Sequence, residues 1–351
     1  MTRWLDDLAG ELGAGEACVL VTVARIDGSA PREPGARMVV TQGAFRGTIG
    51  GGQLEWDALE TARAQLAATP GAWIKRYPLG PELGQCCGGV VSVLFEPYSP
   101  ADAAWVEQLC ALRDGPKRAV RVIEVSDEGE FARHVFAKGE SDEPDDEAVR
   151  GIVRLLMDAA TGGFMVRLDG QRGSLVETLE DRRQPLWLFG AGHVGQAVVQ
   201  ALAPLPFHVT WIDCRANVFP EDLAAGVTAR HVTMPGLIVD EAPPGAMFLV
   251  MTHSHGLDQD ICEAVLCRGD AGYLGLIGAK TKKARFLSRL AAKGLDAPTL
   301  ASIHCPIGVP GIEGKDPAVI AASVAADLLT RLEETRAASS LRAKSGGSIN
   351  V

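Results

Sequence analysis

The sequence is poor in features that mark nucleic acid-binding proteins. Aromatic residues make up only 5% of the 351 residues, which argues against a surface that stacks single-stranded bases. Lys and Arg number 34 against 44 Asp and Glu, so the formal net charge is −10. A protein that binds nucleic acid through phosphate contacts needs the opposite balance. We therefore expect no nucleic acid partner.

Long apolar runs and a dense cysteine framework are lacking as well. No stretch reaches the ~18–20 apolar residues of a membrane helix, and Asp6, Asp7 and Glu11 stand where a signal peptide needs an apolar run. Eight cysteines are too few for a disulfide scaffold, and their spacing matches no zinc module. We expect a soluble, cytoplasmic protein that makes no membrane contact.

What remains is a globular composition with enough apolar sequence for sizeable cores. Hydrophobic residues make up 47% and charged residues 22%, and the length suggests about two domains of ~150 residues each. We predict an N-terminal α+β domain at residues 1–180 and a Rossmann-like domain at 185–335. Residues 336–351 are rich in Ala, Ser, Gly and Lys and are predicted to form a flexible tail.

Hydrophobic patterning supports this division. In the first domain, β-branched content and helical spacing predict strands at 18–24, 37–41 and 90–95, helices at 54–66, 102–112 and 147–160, and hairpins within 121–136 and 164–178. From residue 185, short apolar strands alternate with helices, and the last helix is predicted at 316–332. The chain is therefore assigned to the α/β class, with a C-terminal Rossmann-like, doubly wound parallel sheet.

A glycine-rich segment opens the second domain. Gly190, Gly192 and Gly195, with His193 between them, follow an apolar strand and lead into a helix. Such glycines permit a tight turn and bring backbone N–H groups close to a phosphate at the helix N-terminus. Asp213 ends the next strand, where an acid could bond a ribose hydroxyl. The alternative is a tight turn with no bound nucleotide, since a fold does not fix a function.

Two more strand ends in this domain carry polar groups. His253 and His255 follow one strand together with two aspartates. They could contact a polar ligand, bind a metal or have only a structural role. Among the structural alternatives, Asp258 could cap the next helix. Lys280 follows Gly278 at the next strand end, where three lysines form either an anion site or a solvated basic turn.

A glycine triplet marks the first domain. Gly50, Gly51, Gly52 and Gln53 lead into a helix, so successive N–H groups could form a nest for an anion or the edge of a heterocycle. The Lys-Ser/Thr ending of a P-loop is absent. The alternative is an ordinary glycine-rich turn.

Vicinal cysteines form the second marked segment of that domain. Gln85, Cys86 and Cys87 lie between glycines just before a strand. Such a pair is neither a CxxC redox motif nor a zinc half-site, but thiolates are soft ligands for transition metals. The alternative is two inert, buried thiols. Five other cysteines are expected in the core, and a sixth, Cys305, in a loop; the five are Cys18, Cys110, Cys214, Cys262 and Cys267.

Together these segments resemble the XdhC/CoxI family, the accessory proteins of xanthine dehydrogenase and related molybdoenzymes. The similar segments follow the family's order along nearly the whole chain, at 28–32, 47–55, 83–89, 186–195, 252–260, 275–283 and 305–315. The resemblance implies a chaperone that binds the molybdenum cofactor, Mo-molybdopterin, and shields it from oxidation. It also implies presentation to a cysteine desulfurase, delivery to the molybdenum subunit of apo-xanthine dehydrogenase, and a homodimer.

This interpretation assigns no catalytic residue. Cys86 and Cys87 are predicted to contact the molybdenum. The other residues predicted to bind the cofactor are Gly50, Gly51, Gly52, Gln53, Gln85, Gly190, Gly192, His193, Gly195, Asp213, His253, His255 and Lys280. The sequence leaves open an NAD(P)-dependent oxidoreductase that uses the glycine segment, and a non-catalytic nucleotide sensor. It also leaves open whether the Rossmann-like domain holds the molybdopterin phosphate or a separate nucleotide.

Overall fold

The computed structural model describes residues 3–66, 71–79, 88–126, 130–140, 142–159, 162–170, 172–181, 183–224 and 226–345. The chain divides into two compact units, Met1–Arg182 and Arg183–Val351. The predicted metal contacts Cys86 and Cys87, and Gln85 beside them, lie outside the described residues. Within the described residues, none of the helices combines the length and the apolar character that crossing a membrane requires.

The first unit contains two antiparallel sheets, with strand orders β3-β2-β1-β5-β4 and β7-β6-β9-β8. Its elements are α1 (Arg3–Gly13), β1 (Cys18–Asp27), β2 (Arg37–Val40), β3 (Phe45–Gly47), α2 (Gly52–Leu66), β4 (Trp73–Pro78), β5 (Val90–Tyr98), α3 (Ala103–Asp114), β6 (Ala119–Val125), β7 (Phe131–Ala137), α4 (Glu147–Asp158), β8 (Phe164–Asp169) and β9 (Arg172–Leu179). The predicted strands, helices and hairpins of this unit are present, which confirms the α+β architecture.

Three elements of the first unit were not predicted: α1, β3 and β4. The signal for α1 was in the sequence, because Leu5, Leu8 and Leu12 recur at helical spacing and all three are buried. The three residues of β3 are exposed at the sheet edge, so they carry no apolar alternation that could have marked them.

A buried ionic cluster links the two sheets of the first unit. Arg121 on β6 is fully buried, and its Nη1 donates to Glu177 Oε1 at 2.6 Å. Its Nη2 donates to Glu96 of β5, in the other sheet, and to the Tyr98 hydroxyl at 3.0 Å. The second oxygen of Glu177 accepts from Arg37 Nη2 at 2.8 Å. Both carboxylates are thus paired with cations held away from water.

The second unit is built on a six-stranded parallel sheet with the order β12-β11-β10-β13-β14-β15. Its elements are β10 (Gln184–Phe189), α5 (His193–Leu202), β11 (Phe207–Asp213), β12 (Val227–His231), β13 (Met247–Val250), α6 (His255–Arg268), β14 (Tyr273–Leu276), α7 (Lys280–Ala292), α8 (Ala297–Ala301), β15 (Ile303–His304) and α9 (Pro317–Ser345). This order confirms the predicted Rossmann-like, doubly wound sheet.

Both faces of the parallel sheet are covered. Leu186 and Leu188 on β10 pack in a core that includes side chains of α5 and α9. Trp187 and Phe189 on the same strand point to the other core, with side chains of α6 and α7. Alternate residues therefore enter opposite cores, which explains why the strands appear in the sequence as nearly continuous apolar runs.

The last helix is longer than the sequence predicted. Helix α9 continues to Ser345, well past the predicted end at 332 and through most of the predicted flexible tail. Its residues after Pro317 include no Gly or Pro, and Ala, Leu, Arg and Glu are good helix formers. Gly346 and Gly347 follow directly. The small and polar composition that predicted a tail is equally compatible with a helix.

Candidate functional site

The parallel sheet of the second unit has a switch point between β10 and β13. Strand order proceeds one way from β10 to β11 and the other way from β10 to β13, so the loops that follow the two central strands leave in opposite directions. Ligands of doubly wound sheets bind in the crevice that this reversal opens at the carboxyl edge. The Gly190 loop follows β10, and the His253 loop follows β13. Both predicted segments therefore lie at the expected edge.

The three glycines of the first loop are there for different reasons. At Gly190 the φ angle is +123°, and a Cβ would collide with the carbonyl oxygen of Met251. At Gly195 a Cβ would collide with the carbonyl oxygen of Gly190. Gly192 has ordinary extended angles, φ −78° and ψ −176°, and a Cβ there would meet no atom within 4 Å. Packing within the protein therefore explains Gly190 and Gly195 but leaves Gly192 unexplained.

Gly192 is the N-cap residue of α5, whose first residue is His193. The first N–H groups of a helix lack partners within the helix, and together with the helix dipole they favour an anion. A glycine at this position lets a ligand phosphate approach the backbone closely. The open space at Gly192 is thus where the sequence predicts a phosphate, and occupancy by a ligand stays a prediction.

Asp213, at the end of β11, is 3% exposed and faces this loop. Its Oδ2 accepts from the Ala191 N–H at 2.6 Å and from Arg215 Nη2 at 2.8 Å, and its Oδ1 accepts from Arg215 N and Nε at 2.9 and 3.0 Å. Burial would raise the pKa of Asp213, but these hydrogen bonds outweigh it and lower the pKa to about 2. Each oxygen already accepts two hydrogen bonds, so a ribose hydroxyl would have to displace Arg215.

A cysteine that was predicted to lie in the core belongs to this edge instead. Cys214 follows β11 directly and is only partly buried. Ligand atoms of Asp213, Cys214 and His253 all lie within 4.8 Å of one another. The prediction for Cys214 is wrong because the apolar strand before it ends at Asp213, and Cys214 already lies in the loop at the carboxyl edge. Cys267, also expected in the core, is exposed near the end of α6.

His255 and Lys280 mark the starts of α6 and α7. His255 is exposed, and it is not part of the group formed by Asp213, Cys214 and His253. For Lys280 the structure describes the backbone alone. A lysine whose ammonium group does lie at this edge is Lys282.

Asp258 on α6 holds the His253 loop in place. Its side chain is 1% exposed, and its Oδ1 accepts from the backbone N–H of Thr252 at 2.9 Å and from its hydroxyl at 2.7 Å. Its Oδ2 accepts from Lys282 Nζ at 2.6 Å, and that ammonium also donates to the carbonyl of Ile277 at 2.8 Å. The alternative that Asp258 caps the helix is wrong, because the Ser254 hydroxyl does so.

We expect Asp258→Asn to destabilise the second unit by about 3 kcal/mol, because it leaves the largely buried Lys282 ammonium without its counter-charge. Urea unfolding followed by tryptophan fluorescence measures this. Asp222→Asn, at an exposed aspartate, is the matched control and should change the free energy of unfolding by less than about 0.5 kcal/mol. Equal stability of the two variants would show that the ion pair does not hold the loop.

The glycine triplet of the first unit forms the predicted nest, but the nest already contains an anion. Glu55 Oε2, from the first turn of α2, accepts from the N–H groups of Ile49 at 2.9 Å and Gly51 at 3.2 Å. Gln53 Nε2 donates to Asp57 at 2.6 Å. An external anion would have to displace Glu55. Gly50 and Gly52 shape this turn with φ angles of +124° and +67°.

The fold and this edge define a protein with a Rossmann-type unit and an α+β unit of similar length. The second unit matches the family model for the XdhC Rossmann domain over residues 186–328, and the first matches the model for the XdhC and CoxI family over residues 12–78. Together the two matches span more than half of the chain. The chain belongs to the XdhC family.

The chain is also similar to three individual proteins. It is 25% identical, over 90% of its length and 93% of the relative's, to a protein of Bacillus subtilis named as a probable xanthine dehydrogenase subunit. It is 30% identical over 159 residues to YqeB of Escherichia coli, an uncharacterized protein of which the match covers only 29%. A crystal structure described as a xanthine dehydrogenase of Bacillus halodurans has the same fold, with a TM-score of 0.68, 22% identity, and coverage of 94% of this chain and 96% of that one.

Proposed function

We propose that this protein binds the molybdenum cofactor and supports the maturation of a xanthine dehydrogenase. The observation that carries the proposal is the open position at Gly192, at the N-terminus of α5 and at the switch point of the sheet. Its membership of the XdhC family and its likeness to a protein named as a xanthine dehydrogenase subunit point to the client.

The chemistry of the cofactor suits the groups at this edge. Molybdopterin carries an anionic phosphate, a polar pterin and a metal bound by sulfur. The N–H groups at the start of α5 would bind the phosphate, and Arg215, which Asp213 holds beside the loop, would add a cation. Binding through backbone groups needs no reaction at the cofactor, as expected of a carrier.

The remaining parts of the proposal rest on the vicinal cysteines of the sequence and on the resemblance to the XdhC/CoxI family. Cys86 and Cys87 are proposed to contact the molybdenum, because thiolates are soft ligands. A cysteine desulfurase is the proposed source of the sulfide that would replace an oxo ligand on the metal, with the oxygen leaving as water. The cofactor then passes to the molybdenum subunit of the apo-dehydrogenase. A homodimer is proposed as the working form.

An NAD(P)-dependent oxidoreductase is the alternative from a different class. The geometry of Asp213 disfavours it, because the carboxylate that would bind a ribose hydroxyl is engaged by Arg215 and Ala191. The histidines His253 and His255 are the candidates for hydride-transfer acid or base at this edge. A nucleotide sensor without catalysis is the third candidate.

One purification separates the three candidates. The full chain is purified from a host that makes molybdopterin, and its molybdenum, pterin fluorescence and nucleotide content are measured. The proposed function predicts molybdenum and pterin in equal amounts. Bound nicotinamide with substrate turnover would establish the oxidoreductase, and nucleotide without pterin the sensor. Either of the last two results contradicts the proposal.

A further inference from the structure

The side chains of Asp213, Cys214 and His253 meet at the carboxyl edge of the parallel sheet. Asp213 and Cys214 come at the end of β11, and His253 follows β13. These two strands flank β10, yet the ligand atoms of all three residues lie within 4.8 Å of one another. The group therefore lies beside the glycine loop that follows β10. We propose that Asp213, Cys214 and His253 form a binding site for a thiophilic transition-metal centre.

The donor set defines the class of metal. One thiolate, one imidazole and one carboxylate suit a borderline or soft metal such as zinc, and they suit calcium or magnesium poorly. Three protein ligands leave at least one coordination position open. The site thus suits a metal that keeps ligands of its own, rather than a closed structural ion.

Arg215 competes with a metal for Asp213. It makes three of the four hydrogen bonds to that carboxylate, two of them through its guanidinium and one through its backbone N–H. The side chain of Arg215 is 42% exposed, so the guanidinium has room to swing away. Metal binding at Asp213 requires one oxygen to be released from Arg215. Removing the guanidinium should therefore strengthen metal binding, whereas removing a ligand should weaken it.

Two sources could supply such a centre. One is a free divalent ion, which the site would bind with water in the open position. The other is the molybdenum of the cofactor, which arrives with its dithiolene sulfurs. This second source rests on the proposed function, and it would make Cys214 a molybdenum contact in place of the vicinal cysteines. Cys214 and His253 would contact either centre in the same way.

Cobalt(II) titration of the full chain tests the site without the cofactor. The background carries Cys86→Ser and Cys87→Ser, so that the vicinal thiols cannot contribute. We expect one cobalt per chain, with thiolate-to-cobalt charge-transfer absorption. Cys214→Ser and His253→Gln should each weaken binding by more than about tenfold. Cys267→Ser, at an exposed cysteine elsewhere on the same unit, should leave it unchanged.

Arg215→Gln should change the affinity for cobalt in the opposite direction. We expect it to strengthen cobalt binding about fivefold, since it removes a cation and frees the carboxylate. General damage to the loop would weaken binding instead, so this variant distinguishes a ligand set from a merely structural cluster. Absence of the charge-transfer band, or a band that survives Cys214→Ser, overturns the proposal.

Metal content of the chain purified from the molybdopterin-producing host separates the two sources. If Cys214→Ser lowers molybdenum, the centre is that of the cofactor; if it lowers zinc and leaves molybdenum unchanged, the centre is a free ion. If neither metal changes, the proposal is overturned. A chain without molybdenum or pterin would contradict the proposed function, while cobalt and zinc binding would still decide this site.

Discussion

Gly192→Val should leave the fold intact and lower the retained molybdenum cofactor by more than about tenfold. A Cβ at this residue would meet no protein atom within 4 Å, and its backbone angles suit any residue, so we expect stability to change by no more than about 1 kcal/mol. The added methyl groups would instead occupy the space through which a phosphate approaches the first N–H groups of α5. Molybdenum and pterin per chain measure the effect.

Two glycine variants serve as controls for this result. Gly43→Val, also at a glycine with open space around its Cβ position, should keep both the cofactor and the stability. Gly195→Ala should destabilise the unit, because its Cβ would collide with the Gly190 carbonyl. If Gly192→Val keeps a full complement of cofactor, the phosphate does not bind at the N-terminus of α5. The open position at Gly192 would then no longer support the proposed function.

Arg121→Met should destabilise the first unit by about 3–5 kcal/mol. The substitution keeps most of the apolar volume but leaves Glu96 and Glu177 buried with fewer cations, and an unpaired buried charge is costly. Glu177 would keep its bond from Arg37, and Glu96 would keep the Tyr98 hydroxyl. Urea unfolding monitored by circular dichroism measures the change.

Arg25→Met is the matched control for the buried arginine. Arg25 pairs with Asp27 at 2.9 Å, but both side chains are about half exposed, so its loss should cost less than about 1 kcal/mol. If Arg121→Met lowers the free energy of unfolding by less than about 1 kcal/mol, apolar packing can replace the ionic cluster that joins the two sheets. That result would contradict the prediction.

The four central strands of the parallel sheet were predictable because their signals are local, whereas the edge strands β12 and β15 were not predicted. Strands such as β10 and β13 are buried on both faces and appear as continuous apolar runs, and each helix that follows has its own periodicity. The glycine spacing before α5 and Asp213 at the end of β11 are also signals that can be identified from a short stretch of sequence. The carboxyl edge could therefore be located from the sequence alone.

The details of the site could not be predicted, because they depend on the path of the folded backbone. The contacts of Ala191 with Asp213 and of His253 with Cys214 join distant positions, and even the bonds from the nearby Arg215 depend on how the chain turns after β11. Glycine spacing likewise predicted a nest at Gly51, but could not show that Glu55 fills it. The hydrogen-bond partners of these groups depend on tertiary packing, which cannot be inferred from composition and residue spacing.

Transfer of the cofactor tests the central claim most directly. The chain is purified from the molybdopterin-producing host, freed of unbound cofactor, and mixed with a cofactor-free xanthine dehydrogenase of the same organism. The account predicts that dehydrogenase activity appears in proportion to the molybdenum added, and that the carrier loses the same amount of molybdenum and pterin. Loaded carrier that restores no activity and keeps its molybdenum would contradict the account.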